Sequence, residues 1–471
     1  MKSTASLPTA CFTGPDVHTM SDKNSTLSRR TVLRSTAVAG SIGLAGCNGT
    51  EEPNTQTEDE EASGGDTTNE SAESGEPEET DQPTNEIELI HTWTSEDNNA
   101  AITALIEGFK EQYPDLELSE EPVDGSFPSD LKQVVLNKLR SNDPPSTFQT
   151  WPGTSLEIFD DAFEDIEGEV WDEDLQTRYP SGVQEMARYN GSLVTVPINV
   201  HRINNLFYNT AILEEAGIDP ESLASPSDLV DACQTITEET DAVPFAHQIN
   251  SGWSTVQLWE TILLGQAGIT GYEAYIEGTG NRNQVKSALE TVVDLTEYYP
   301  TDASSLTYFD ANKMVVEGEA AFIHKGDWTE GNFSDFSGFE YGEDWNNVPF
   351  PGTSRSYLLN MDSFPYVANN PSPIATRRFL SYCGTPEGQV LFSNKKGSIP
   401  PRTDADVSSL TEFQQDQFKD YISADNHPPS IQHGLAVPRD AKTAIDAAFD
   451  RFIEQYDITD TTDSLMNAGS Y

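Results

Sequence analysis

At 471 residues, 36% of them hydrophobic, the chain is long enough for two domains or one large two-lobed body. Its 79 acidic against 26 basic residues give a formal charge of −53, which excludes nucleic acid as a partner because its phosphates would be repelled. The excess is not confined to a tail: residues 48–85 hold 13 acids and no base, yet residues 86–471 still carry 64 acids against 21 Lys and Arg.

In chain order, the segment SRRTVLR at 28–34 is followed by the uncharged, moderately apolar run STAVAGSIGLAG and then by Cys47. A basic stretch, a short apolar core and small residues before a cut make an export signal. The run is too short and too rich in Gly and Ala to span a membrane. Arg29 and Arg30 resemble the pair of a twin-arginine (Tat) signal, and Leu44-Ala45-Gly46-Cys47 resembles a lipobox. These resemblances imply passage through the Tat translocase and lipidation of Cys47. The protein is then extracellular, anchored to the outer face of the cell membrane through that lipid alone. Residues 1–46 are read as signal, with Met20 a more natural start than Met1. Residues 47–85 are read as the lipidated cysteine and an acidic disordered tether, which has no large apolar residue with which to build a core. A lysine-poor carboxylate surface stays soluble where salt screens its self-repulsion, the Debye length being about 3 Å at 1 M. In this the chain is similar to haloarchaeal proteins, which implies a high-salt habitat.

The folded part opens with a strand in EIELIHTW, where Ile87 and Leu89 alternate with polar neighbours. Ile102, Leu105, Ile106, Phe109 and Tyr113 then recur at helical spacing until Pro114 stops the helix. Leu116 and Leu118 resume alternation. A second helix after Ser129 carries Leu131, Val134, Val135 and Leu139 on one face and ends before Asp143-Pro144-Pro145, and FQTW reads as the next strand. This β-α-β-α-β order predicts a largely parallel sheet covered by helices, an α/β class. Further helices are expected near 210–216, 226–239, 256–266, 283–297, 372–380 and 440–456. Cys233 and Cys383 lie within the fold and either pair as a disulfide or sit apart as buried small hydrophobes. Sequons at Asn48, Asn69, Asn190 and Asn332 permit glycosylation. GxSxG, HExxH and P-loop motifs are missing, and the seven histidines lack metal-ligand spacing, so no catalytic residue, metal or cofactor is expected.

Eight stretches then follow in a familiar order: HTWTSED at 91–97, DPPSTFQTWPG at 143–153, VPINVHRINNLFYN at 196–209, LWETILLG at 258–265, AAFIHKGDWTEGNF at 320–333, MDSFP at 361–365, SNKKGSIPPR at 393–402 and SIQHG at 430–434. Together they resemble family 1 extracellular solute-binding proteins of ABC transporters, of the maltose-binding type and its glucose/mannose-binding subgroup. The resemblance implies a two-lobed periplasmic-binding-protein-like fold with a hinge and an interlobe ligand cleft. Lobe one would span 86–199 and lobe two 200–346, with 347–401 returning to lobe one and 402–471 mainly in lobe two. It implies a receptor that captures a glucose-like monosaccharide and delivers it to ABC permease subunits on separate chains, and that is not an enzyme. The alternatives are the same role for an oligosaccharide, polyol or glycerol phosphate, or a secreted carbohydrate-active enzyme.

A sugar offers C–H faces that pack on aromatic rings and hydroxyl edges that need hydrogen-bond partners once water is expelled. The stretches supply both at loop ends. Trp93 and Glu96 follow the first strand, Gln149 and Trp151 close another, Trp259 stands beside Glu260, Asp327 beside Trp328, and Lys396 and His433 complete the candidate ligand-binding set. Trp259, inside a helix, reads more readily as core than as ligand contact. Asp327 is also placed to N-cap a helix starting at Trp328. His201-Arg202 reads as a hinge or as a ligand contact. Two positions depart from the resemblance: Thr92 where relatives often show a second tryptophan, and Trp151 where they often have histidine.

Overall fold

A computed structural model describes residues 85–94, 96–124 and 129–470, with backbone alone for Glu96 and Asp97. Arg29, Arg30, Cys47 and the acidic segment through residue 84 lie outside the described residues. Strand Glu86–His91 forms the centre of a three-stranded sheet, flanked in parallel by Glu117–Pro122 and Thr147–Phe148. The strand expected over FQTW stops at Phe148. Helix Glu96–Gln112 buries Ile102, Leu105 and Phe109, and the Phe109 ring meets Phe379 edge-on at 5.3 Å. Helix Ser129–Arg140 presses Leu131 and Val135 onto Ile90 and Phe148. This half is the parallel βαβαβ unit that the hydrophobic pattern predicts.

The second sheet runs in the order Trp345–Pro349, Asn205–Asn209, Ala320–Lys325, Val243–Phe245. It is mixed, not largely parallel: Asn205–Asn209 is antiparallel to both its neighbours, and only Val243–Phe245 runs parallel to Ala320–Lys325. The reason is topological. The chain enters this sheet along Asn205–Asn209 and leaves it along Trp345–Pro349, and adjacent entry and exit strands must oppose each other.

Buried apolar side chains gather into two principal cores. One joins Ile87, Leu105, Phe379, Phe392 and Tyr421, the other Leu206, Trp259, Leu263, Val292 and Phe449. Residues 195–205 run from the first to the second. Thr195–Pro197 pairs with Ser363–Pro365, Val200 bridges to Ile399, and His201–Arg202 pairs with Leu359–Asn360 before the chain joins the second sheet. The result is a two-lobed α/β body of the periplasmic-binding-protein type. Arg202 fastens this connection. It is 2% exposed, its guanidinium donates to Asp420 at 2.7 Å, and it lies over the Tyr357 ring at 5.0 Å.

Helices Thr210–Ala216 and Pro226–Glu239 lie at the expected positions, the first closed by Gly217 in the left-handed region and the second opened by a Ser225–Asp228 capping box. The helix expected at 256–266 is longer, Trp253–Ile276, and breaks at Gly268. Cys233 and Cys383 are both free. The disulfide reading is therefore corrected: Cys233 belongs to the second core and Cys383 to the first, and burial pushes both thiols up. They serve as small hydrophobes.

Candidate functional site

A cavity of about 320 Å³ opens where the loops after strands Glu86–His91 and Thr147–Phe148 meet the chain around 201, 328, 360 and 433. Its aromatic wall comes from the indoles of Trp93, Trp151 and Trp328. Trp93 is 3% exposed and rests on Phe392 at 5.1 Å and Phe364 at 5.8 Å, so it forms a fixed floor. Trp151 and Trp328 are half-buried and both stand edge-on to His433, at 5.4 and 5.7 Å. Gly326 makes room for Trp328: a Cβ there would fall 2.3 Å from the indole ring.

The polar side is one continuous hydrogen-bonded chain. Thr92 donates from its backbone N and its Oγ1 to Gln149 Oε1, at 3.0 Å each. Gln149 Nε2 donates to Asp362 Oδ1 at 3.3 Å, and Asn199 Nδ2 donates to Asp362 Oδ2 at 3.2 Å. Asn199 Nδ2 also faces His201 Nε2 at 3.3 Å, while His201 Nδ1 meets Asp327 Oδ1 at 2.6 Å and Arg202 N donates to Asp327 Oδ2 at 2.9 Å. Every donor in the series meets an acceptor if His201 carries its hydrogen on Nδ1, the tautomer we assign. Such a network fixes each amide's orientation before a ligand arrives.

A second anchor holds the far wall. Glu260, fully buried in helix Trp253–Ile276, accepts from Ser430 Oγ at 2.7 Å, Ile431 N at 2.5 Å, Gln432 N at 3.3 Å and Tyr272 Oη at 3.1 Å. Burial pushes its carboxyl up to about 7, against the lowering effect of those hydrogen bonds. Because the Ser430 hydroxyl hydrogen goes to Glu260, the same oxygen accepts from His433 Nδ1 at 2.9 Å, which leaves His433 Nε2 as an acceptor. Burial, helped by the positive charge of Lys442, pushes the His433 imidazole down to about 3, so the ring is neutral. Lys396 ends helix Pro386–Lys396, where Gly397 in the left-handed conformation turns the chain away, and it lines the cavity with no ion pair among the described residues.

The expected residues thus divide. Trp93, Gln149, Trp151, Trp328, Lys396 and His433 line one cavity. Asp327 stands behind it as the support of His201, and its side chain does not cap the helix Thr329–Ser334. Glu96 opens its helix, and its side chain lies outside the described residues. Trp259 is corrected: it is fully buried in the second core, against Tyr275 at 5.3 Å and Phe449 at 5.4 Å, and lines no part of the cavity. Neighbouring helix positions project about 100° apart, so the same turn sends Trp259 into the core and Glu260 to the loop. Residue-by-residue reading missed Asn360 and Asp362, which line the cavity from the MDSFP region, and Asn199, which supports Asp362. A larger cavity of about 630 Å³ borders strand Trp345–Pro349, but none of the tryptophans lines it.

Residues 104–420 match the family model described as bacterial extracellular solute-binding protein, and the chain belongs to that family. The xylose/arabinose-binding protein of Haloferax volcanii is 40% identical over 82% of this chain and 84% of its own length. A glucose-binding protein of Saccharolobus solfataricus is 25% identical over 64% of this chain and 58% of its own. Among solved structures, a bacterial solute receptor with a preference for β-D-galactopyranose superposes with a TM-score of 0.69 at 15% identity, over 82% of this chain and 97% of that one. A receptor of Streptomyces glaucescens studied with acarbose gives 0.64 at 18% identity, over 81% and 97%. At these identities the structural likenesses speak for the fold.

Proposed function

We propose that this protein is the extracellular sugar receptor of an ABC importer, capturing a neutral aldose monosaccharide in the Trp151–His433 cavity and delivering it to permease subunits on separate chains. The carrying observation is the cavity's composition: three indoles line it together with a pre-ordered series of amide, carboxylate and imidazole groups and the Lys396 ammonium. Its volume of about 320 Å³ is at the small end of ligand pockets, which run from about 300 to 1,000 Å³, and favours a monosaccharide over an oligosaccharide. One ammonium in a cavity that the Asp362 carboxylate also lines suits hydroxyls better than a phosphate ester. The glucose-like reading of the sequence broadens here to aldopyranoses, since the relative sharing 40% identity is named for xylose and arabinose. Substrate would act by shifting the population of lobe arrangements toward the one the permease recognises. Cys47 serves as the lipid anchor after Tat export, and the carboxylate-rich surface suits molar salt. A thermal-unfolding screen at molar salt against xylose, arabinose, glucose, galactose, maltose and glycerol phosphate tests the assignment. One aldose should raise the midpoint saturably and be recovered unaltered. Products appearing from it, or a response to glycerol phosphate alone, would reject the reading.

A further inference from the structure

Apart from the ligand cavity, a small, partly open pocket of about 90 Å³ lies between helix Ser129–Arg140, the 3-10 helix Gly153–Phe159 and the start of helix Arg439–Gln455. Its charge is opposite to that of the rest of the molecule. Lys132, Arg439 and Lys442 all line it, in a chain with 26 basic residues against 79 acidic ones. Lys442 is paired with Asp446 on its own helix at 2.5 Å, whereas Lys132 and Arg439 have no ion pair among the described residues. Asp440, in the first turn of the same helix, is the nearest carboxylate in sequence and pairs with none of the three. The hydroxyls of Thr154 and Ser155 are turned away, donating to the carbonyls of Gly434 and Val437. The donors left facing the space are cationic.

Three cations with so few counter-charges repel one another. Lys132 registers this: burial first, then the charges of Arg439 and Lys442, push its ammonium down. An acidic protein has carboxylates in abundance to place here, and the walls instead leave a space of about 90 Å³. We infer that this void is a binding site for one small inorganic oxyanion of the phosphate or sulfate class, held by Lys132, Arg439 and Lys442. The space is small beside ordinary ligand pockets of about 300 to 1,000 Å³, which favours a small anion over a nucleotide. The occupant would tie helix Ser129–Arg140, which packs on the first sheet, to helix Arg439–Gln455, which belongs to the second core. It would thereby brace the two loops carrying Trp151 and His433, already joined by Thr154 N to Leu435 O at 3.2 Å.

The test uses the full chain in molar potassium glutamate, with sulfate or phosphate added at constant ionic strength. Wild-type protein should bind one sulfate per chain by calorimetry and gain a saturable rise in unfolding midpoint, as linkage requires. Phosphate should bind more tightly from pH 6 to 8 as its dianion forms, and sulfate should not. The Lys132→Gln/Arg439→Gln pair should weaken sulfate at least tenfold, and without anion should be no less stable than wild type because a repulsion is gone. Arg439→Gln alone, at an exposed side chain, provides the same comparison if the pair does not fold. Absence of saturable binding to wild type, or equal binding by wild type and variant, would overturn the inference.

Discussion

Replacing Glu260 by Gln tests how the His433 wall is held. In the wild type the carboxylate accepts four hydrogen bonds while fully buried, and the balance leaves its carboxyl at about 7 against an ordinary 4.5. The sign follows from proton counting. Between pH 4.5 and 7 the native state keeps a proton that the unfolded chain has released, so stability falls as pH rises through this window. Glu260's favourable contribution is full below about 4.5 and gone above about 7. At about 1.4 kcal/mol per pKa unit this amounts to about 3 kcal/mol. Gln does not titrate. The difference in unfolding free energy, wild type minus E260Q, should therefore fall by about 3 kcal/mol between pH 4.5 and 7.5 and then level off. Denaturant unfolding of both proteins across that range, at molar salt, measures it, and contributions from other titrating groups such as Glu330 cancel in the difference. A flat difference would refute the assigned burial and bonding of Glu260.

Three further outcomes are expected. Trp151→Ala removes a half-buried indole from the wall and should weaken the bound sugar at least about tenfold, or about 1.4 kcal/mol, by titration calorimetry with little change in unfolding midpoint. Gly326→Ala should do the same without touching a ligand atom, because its new Cβ would lie 2.3 Å from the Trp328 ring and must displace it; unchanged affinity would show that Trp328 does not contribute from this pose. Denatured without reductant, a chain beginning at residue 86 should titrate two thiols, those of Cys233 and Cys383, and reductant should leave its native unfolding midpoint unmoved.

Hydrophobic periodicity carried much of the first lobe. Ile102, Leu105 and Phe109 mark their helix because its buried face is apolar. Helices Pro386–Lys396, Glu412–Ser423 and Ile458–Ala468 escaped the same reading because their buried faces include Gln389, Gln414, Gln417, Thr461 and Thr462. Gln414 is satisfied by donating to the carbonyls of Ser393 and Ser398, which hydropathy does not register. The site divides on similar lines. Its indoles and His433 are conspicuous in sequence. Its polar order depends on Gln149, Asn199, Asp327 and Asp362, residues far apart in the chain that meet only where the connecting segments run side by side. In so acidic a sequence nothing local distinguishes Asp362 from a solvated surface carboxylate. Trp259 and Glu260 show the converse, since adjacency in sequence suggested one role for both and the helix gave them two.

The most direct measurement is a crystal structure of the protein with the aldose that stabilises it. The pyranose should lie in the cavity of about 320 Å³, a C–H face on Trp151 or Trp328 and hydroxyls within hydrogen-bond distance of Asp362, Lys396 or His433. Sugar found instead in the cavity of about 630 Å³ beside strand Trp345–Pro349, with the tryptophan site empty, would contradict the account.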